Sequence, residues 1–66
     1  SGEYLLEIVD VLGRLVKSIS LPNYSGIIRW DGTSQNNSPV ASGVYFVVVR
    51  GASRQQIQAQ RILLLK

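Results

Sequence analysis

Four carboxylates, Glu3, Glu7, Asp10 and Asp31, are all the acid that these 66 residues carry, and histidine, cysteine and methionine are absent. Without histidine or cysteine the chain lacks the usual general base, the thiol nucleophile and the commonest zinc ligands. A glycosidase would need two carboxyls about 5–10 Å apart across a cleft. Asp10 and Asp31 instead stand in Asp10-Val11-Leu12-Gly13 and Asp31-Gly32. In such turns aspartate bonds its own backbone and glycine supplies a positive φ. Turn chemistry is the better reading of both. A calcium loop built on Asp31 with Asn36 and Asn37 would be too poor in oxygen ligands. Gly2, Gly26, Gly32 and Gly51 form no phosphate-cradling arrangement. No residue is therefore assigned to catalysis, to a cofactor or to a metal, and an enzyme is the least favoured class.

Binding chemistry is nearly as sparse. Seven basic residues against four acidic ones give a net charge of +3, but the cations are scattered from Arg14 to Lys66 with no basic block. Nucleic-acid binders gather such charge on one face among exposed aromatics, so a soluble surface is the simpler account. Trp30 is the only tryptophan. It could stack on a sugar, but a core or rim aromatic is the stronger reading. Asn23-Tyr24-Ser25 and Asn36-Asn37-Ser38 fit the Asn-x-Ser pattern, which is too short to carry weight. No apolar run approaches the ~20 residues of a membrane-spanning helix, and residue 1 does not open a signal peptide.

The elements around these residues read as strands. Tyr4–Val9 and Arg14–Ile19 are β-rich runs around the Asp10–Gly13 turn, which predicts a hairpin with a bulge at Gly13. Leu21–Gly26 is a loop, Ile27–Trp30 a short third strand, and Asp31–Ser42 a polar surface loop. Val44–Arg50 is an unbroken apolar run suited to a central strand covered on both sides, with Tyr45 and Phe46 facing opposite ways. After Gly51–Arg54 comes Gln55–Lys66, a strand with a conflict. Ile57 and Ala59 mark one face, whereas Ile62 and Leu64 fall on the other. A bulge near Gln60-Arg61 would reconcile them; helix is the competing reading.

Short strands with regularly spaced turns predict one all-β domain over residues 1–66, a β-sandwich of the immunoglobulin or fibronectin type. Five strands can be counted where such sandwiches use about seven, so the chain is expected to begin late, lacking the first strand or two. A chain this short buries only about 60% of its unfolded surface, and it has no cysteine to staple. Missing strands would leave an unpaired edge. A second copy is therefore expected to pair there, or to swap a strand, as a two-fold dimer.

Two families share the outline Ile8-Val9-Asp10-Val11-Leu12-Gly13-Arg14-Leu15-Val16, then Trp30-Asp31-Gly32, then Gly43-Val44-Tyr45. In this stretch the chain resembles both the C-terminal sorting domains of type IX secretion cargo and the immunoglobulin-like domain of the flagellar hook-capping protein. Arg61-Ile62-Leu63-Leu64-Leu65-Lys66 is similar to the terminal motif of type IX cargo, and Gly43 with Tyr45 to that family's Gly-x-Tyr motif. That family's usual Pro-Asn-Pro opening is absent. The resemblance implies an exported bacterial protein, in the periplasm in transit and then at the cell surface. Its C-terminal module would be recognised by an outer-membrane translocon and cleaved by a sortase, with the passenger N-terminal to it. A structural hook-capping module ranks second, and an accessory carbohydrate-binding domain of a secreted hydrolase third.

Overall fold

A computed structural model describes residues 3–22 and 29–66. Four strands, β1 (Tyr4–Val9), β2 (Leu15–Leu21), β3 (Gly43–Arg50) and β4 (Gln56–Leu64), form one antiparallel sheet in the order β2-β1-β3-β4. Alternation along β1 and β3 explains the core. Leu6 and Ile8 of β1 and Tyr45, Val47 and Val49 of β3 point to one face and are buried there. Register brings them together, since Leu6 pairs with Val49 and Ile8 with Val47. Ile19 of β2 and Ile62 and Leu64 of β4 extend the layer, and Trp30 and Val40 close over it.

The chain is all-β, but the expected two-sheet sandwich is corrected to a single open sheet over the described residues. Among the described residues four strands stand where five were expected. Ile27 and Ile28 of the expected third strand lie outside the described residues, while Arg29 and Trp30 are not in a strand. The reason is local. The Trp30 indole turns back to bond its own loop, and Asp31 and Gly32 begin a turn. The buried face is thus roofed in part by an irregular segment folded back on itself, with Thr33 bridged to Pro39, Val40 N–H donating to the Gly32 carbonyl and Ser34 N–H to that of Ser38.

The β1–β2 hairpin forms as its composition requires. Asp10 N–H donates to the Arg14 carbonyl at 3.0 Å, and Gly13 N–H to the Asp10 carbonyl at 3.0 Å. Gly13 has φ +80° with no atom within 4 Å of a built Cβ, so glycine is demanded there by the backbone and not by crowding. The expected bulge at Gly13 is of the G1 type, a tight turn closed by Gly13 in the left-handed region. A second bulge follows inside the ladder: Lys17 faces Ile8 and Leu15 faces Val9, leaving Val16 as the extra residue.

In β4 the bulge near Gln60-Arg61 is corrected. Val49 pairs with Gln58 and Arg50 with Gln56, so Ile57 is the extra residue and pairing is regular from Gln58 to Leu64. The two apolar phases are real. Ile62 and Leu64 lie on the core side, whereas Ala59 and Leu63 lie on the reverse side of the sheet. β3 is central as expected, yet only one of its faces is covered, for Phe46 remains partly open to solvent.

The two sheet edges differ. Gln35 from the long loop donates its N–H to the Val16 carbonyl at 3.0 Å and accepts from Ser18 N–H through Oε1 at 2.7 Å. That blunts β2. Among the described residues no strand lies beyond β4.

Candidate functional site

The residues singled out in the sequence gather at one end of the sheet. β3 begins there and β4 ends there, and their antiparallel register sets Gly43 opposite Leu64, Val44 opposite Leu63, Tyr45 opposite Ile62 and Phe46 opposite Arg61. The Gly-x-Tyr segment and the Arg61–Lys66 segment are therefore cross-strand partners. Past the strand, Lys66 N–H donates to Ser42 Oγ at 3.1 Å, which ties down the last residue.

The Trp30-Asp31-Gly32 segment clamps this strand pair from the core side. The Trp30 and Tyr45 rings meet edge to face, with centroids 5.1 Å apart and planes at 69°. Trp30 Nε1 donates to the Thr33 carbonyl at 2.8 Å, and the Tyr45 hydroxyl donates to the Ala41 carbonyl at 2.7 Å. Both polar tips of these partly or fully buried aromatics are satisfied. Gly32 is buried at φ +78°, and a Cβ there would stand 3.4 Å from both methyl carbons of Leu64. The loop backbone thus rests directly on the last strand. In contact with Tyr45 and with its N–H on Thr33, Trp30 walls an open recess of about 650 Å³ beside Lys17 and Asp31.

Two carboxylates act as turn locks. Asp10 accepts from Arg14 N–H and Leu12 N–H, each at 2.9 Å, and pairs with Arg14 Nε at 2.9 Å. The Arg14 backbone bond, with the Arg14 guanidinium and the Leu12 N–H behind it, lowers the Asp10 pKa against partial desolvation. Asp31 is lowered chiefly by the Thr33 hydroxyl, helped by the charge of Lys17, whose Nζ lies 3.8 Å away. Lys17 also donates to Thr33 Oγ1 at 3.0 Å, which joins β2 to the Trp-Asp-Gly turn.

These shifts set an acid limit. A carboxyl whose folded pKa lies below its unfolded value, near 3.9 for aspartate, binds fewer protons in the folded state. Its contribution is complete above the unfolded pKa and disappears as pH falls through the folded one. Melting temperature should therefore drop on acidification below about pH 4. The double substitution Asp10→Asn/Asp31→Asn should lower the neutral-pH value and flatten that acid fall. Melts across this range check it; an equally steep fall in the double variant would mean other groups set the limit.

Sequence reasoning missed Thr33, Gln35, Ala41 and Ser42, which the polar loop concealed. The Asp31-x-Thr33 spacing is a signal that could have found Thr33, because aspartate commonly accepts from the N–H two residues on. Gln35, Ala41 and Ser42 carry no comparable local signature.

The order of hairpin turn, Trp-Asp-Gly and Gly-x-Tyr on one sheet is now explicit, and the family model of the FlgD Ig-like domain matches residues 1–55. The chain belongs to the FlgD Ig-like family. No curated protein and no solved structure matches it. In this FlgD Ig-like domain the matched residues hold β1 to β3 and every turn described above up to Gln55, whereas β4 (Gln56–Leu64) lies outside the match. The match thus covers the residues of the clamp from Trp30 to Tyr45 and not the strand that they clamp.

Proposed function

We propose that this FlgD Ig-like domain is a non-catalytic secretion signal and surface-anchoring module of an exported bacterial protein. The observation that carries the reading is the pairing of Gly43–Tyr45 with Ile62–Leu64. The segment that resembles the type IX terminal motif is displayed as the outermost strand, backed by the other motif of that resemblance. A sorting label needs an ordered, accessible terminus and no reactive side chain. Leu63 and Leu65 are largely exposed, and Lys66 is held in place by Ser42. On this reading an outer-membrane translocon captures the domain, a passenger N-terminal to it crosses, and a sortase removes the module. The passenger goes from the periplasm to the cell surface.

The test is deletion of Leu63–Lys66 from the full-length precursor. The passenger should accumulate in the periplasm, folded and active, and surface delivery should fail. Since Leu64 packs on the core, the single substitutions Arg61→Ala and Lys66→Ala at exposed positions provide versions that keep the sheet. Normal delivery of all three overturns the proposal. A second reading, a structural module of the hook-capping type, is favoured by the family match over residues 1–55. It gains if the intact precursor enters a flagellar assembly.

A further inference from the structure

Among the described residues, six of the seven large apolar side chains that stand exposed lie at one end of the sheet. Val11 (67%) and Leu12 (72%) form the tip of the β1–β2 hairpin. Leu15 follows at the start of β2, Phe46 sits near the start of β3, and Leu63 (63%) and Leu65 (77%) close the chain. The register shows that they are neighbours. Val9 pairs on one side with Leu15 and on the other with Phe46, Phe46 pairs with Arg61, and Val44 with Leu63. By alternation Leu15, Phe46 and Leu63 point away from the buried core, to the reverse face of the sheet, and the exposed Val11, Leu12 and Leu65 flank them at the same end. An apolar surface of this extent on a small domain marks a binding region more often than chance exposure.

We infer that this end of the reverse face, uniting the hairpin tip with Leu63 and Leu65, is one docking surface for a partner protein that presents an apolar groove bearing a carboxylate. The inference rests on the sorting function proposed above. It assigns the recognition to a composite surface, half of it some fifty residues upstream of the terminal segment.

Charge identifies the occupant. Arg61 lies within the patch opposite Phe46, and no described carboxylate pairs with it. Covering it without an anion would be costly. A second copy has little to offer on this face among the described residues: Glu7 is bound to Arg50 at 2.9 Å, Asp10 to Arg14 at 2.9 Å, and Glu3 precedes β1 at the opposite end of the sheet. The partner must bring its own acid, which points to a different protein. A lipid surface is the weaker fit. A single cation adds little attraction to anionic lipid, and the patch has no tryptophan or tyrosine of the kind that anchors at an interface. Trp30 and Tyr45 both belong to the core side.

The double substitution Val11→Asp/Leu12→Asp tests this in the full-length precursor, with the terminal segment intact. Both positions are exposed in a turn whose backbone bonds do not depend on their side chains, so circular dichroism and melting of the domain should be unchanged. Surface delivery should fall by about tenfold or more, as expected when central apolar anchors of an interface are lost. The Leu63–Lys66 deletion, run beside it, separates the two ideas. Retention of the deletion variant with normal delivery of Val11→Asp/Leu12→Asp overturns the composite surface and leaves the sorting reading standing. Normal delivery of both overturns both. Two further outcomes overturn the choice of partner. One is concentration-dependent dimerisation of the wild-type domain in sedimentation that the double variant abolishes, which assigns the patch to a second copy. The other is flotation of the wild type, but not the variant, with vesicles containing phosphatidylglycerol, which assigns it to a membrane.

Discussion

Replacing Leu6 with alanine should abolish most of the stability of this domain. Leu6 is fully buried at the centre of the sheet, paired with Ile19 on one side and Val49 on the other. Its side chain has no solvent to relax into, so the change removes transfer free energy and leaves a cavity, together about 2–5 kcal/mol. A chain of this length is stable by only about 3–10 kcal/mol in total. Among the described residues the core contains just five buried apolar side chains, and no cysteine cross-links the chain. One methyl-rich side chain therefore decides whether the native state is populated. Urea unfolding followed by circular dichroism should give a midpoint shifted by at least half of the wild-type value, with an unchanged slope. A loss below about 1 kcal/mol would mean that the face refills from the loop above it.

The second large effect is expected at Trp30. Alanine there removes the edge-to-face contact with Tyr45, leaves the Thr33 carbonyl without its donor, and uncovers part of the core. The ring contact contributes about 0.5–1.5 kcal/mol beyond burial, and the total should reach about 2–4 kcal/mol for this half-buried side chain. Phenylalanine retains an aromatic ring over Tyr45 and lacks only the N–H, so it should cost about 1 kcal/mol. Chemical denaturation of the two variants distinguishes packing from hydrogen bonding. If phenylalanine costs as much as alanine, the Thr33 bond dominates and the ring contact contributes nothing. As the only tryptophan, Trp30 also reports on the wild type directly: its emission should move to longer wavelength when the clamp opens.

What could be read from the residues, and what could not, divides along a physical line. Turns were legible because they depend on neighbours in sequence. Asp10 and Gly13 close the hairpin as their types demand, and the Tyr45-Phe46 alternation separates core from reverse face. Strand identity in β4 was also legible, since the short turn after β3 outweighs the helix-forming residues of Gln55–Leu65. The bulge at Gly13 was legible for the same reason as its turn, but the bulges inside the ladders were not: Val16 is the extra residue of β2 and Ile57 that of β4. Their position is set by which cross-strand pairs pack, and nothing local encodes that. Trp30 failed as a strand residue for the same reason: its conformation answers to Thr33 and Tyr45, not to its β propensity. The candidate site was visible as motifs, but the pairing of Gly43 with Leu64 is a long-range fact. The apolar reverse face escaped notice because alternation tells which residues share a face and never which face is covered.

The order of strands has a mechanical consequence. β1 begins at the end of the sheet where β3 finishes, with Leu5 opposite Arg50, and β4 finishes at the other end, with Leu64 opposite Gly43. A tether entering ahead of Tyr4 and a pull applied near Lys66 would therefore act along the strands and from opposite ends. The ladder bonds of β1 with β3 and of β3 with β4 run across that direction. They would be loaded together, in shear, and would not open one after another like a zipper. A machine that hauls on this domain by its last residues, with a passenger dragging behind, would grip it along its strongest axis, and the fold would act as a rigid toggle on the line.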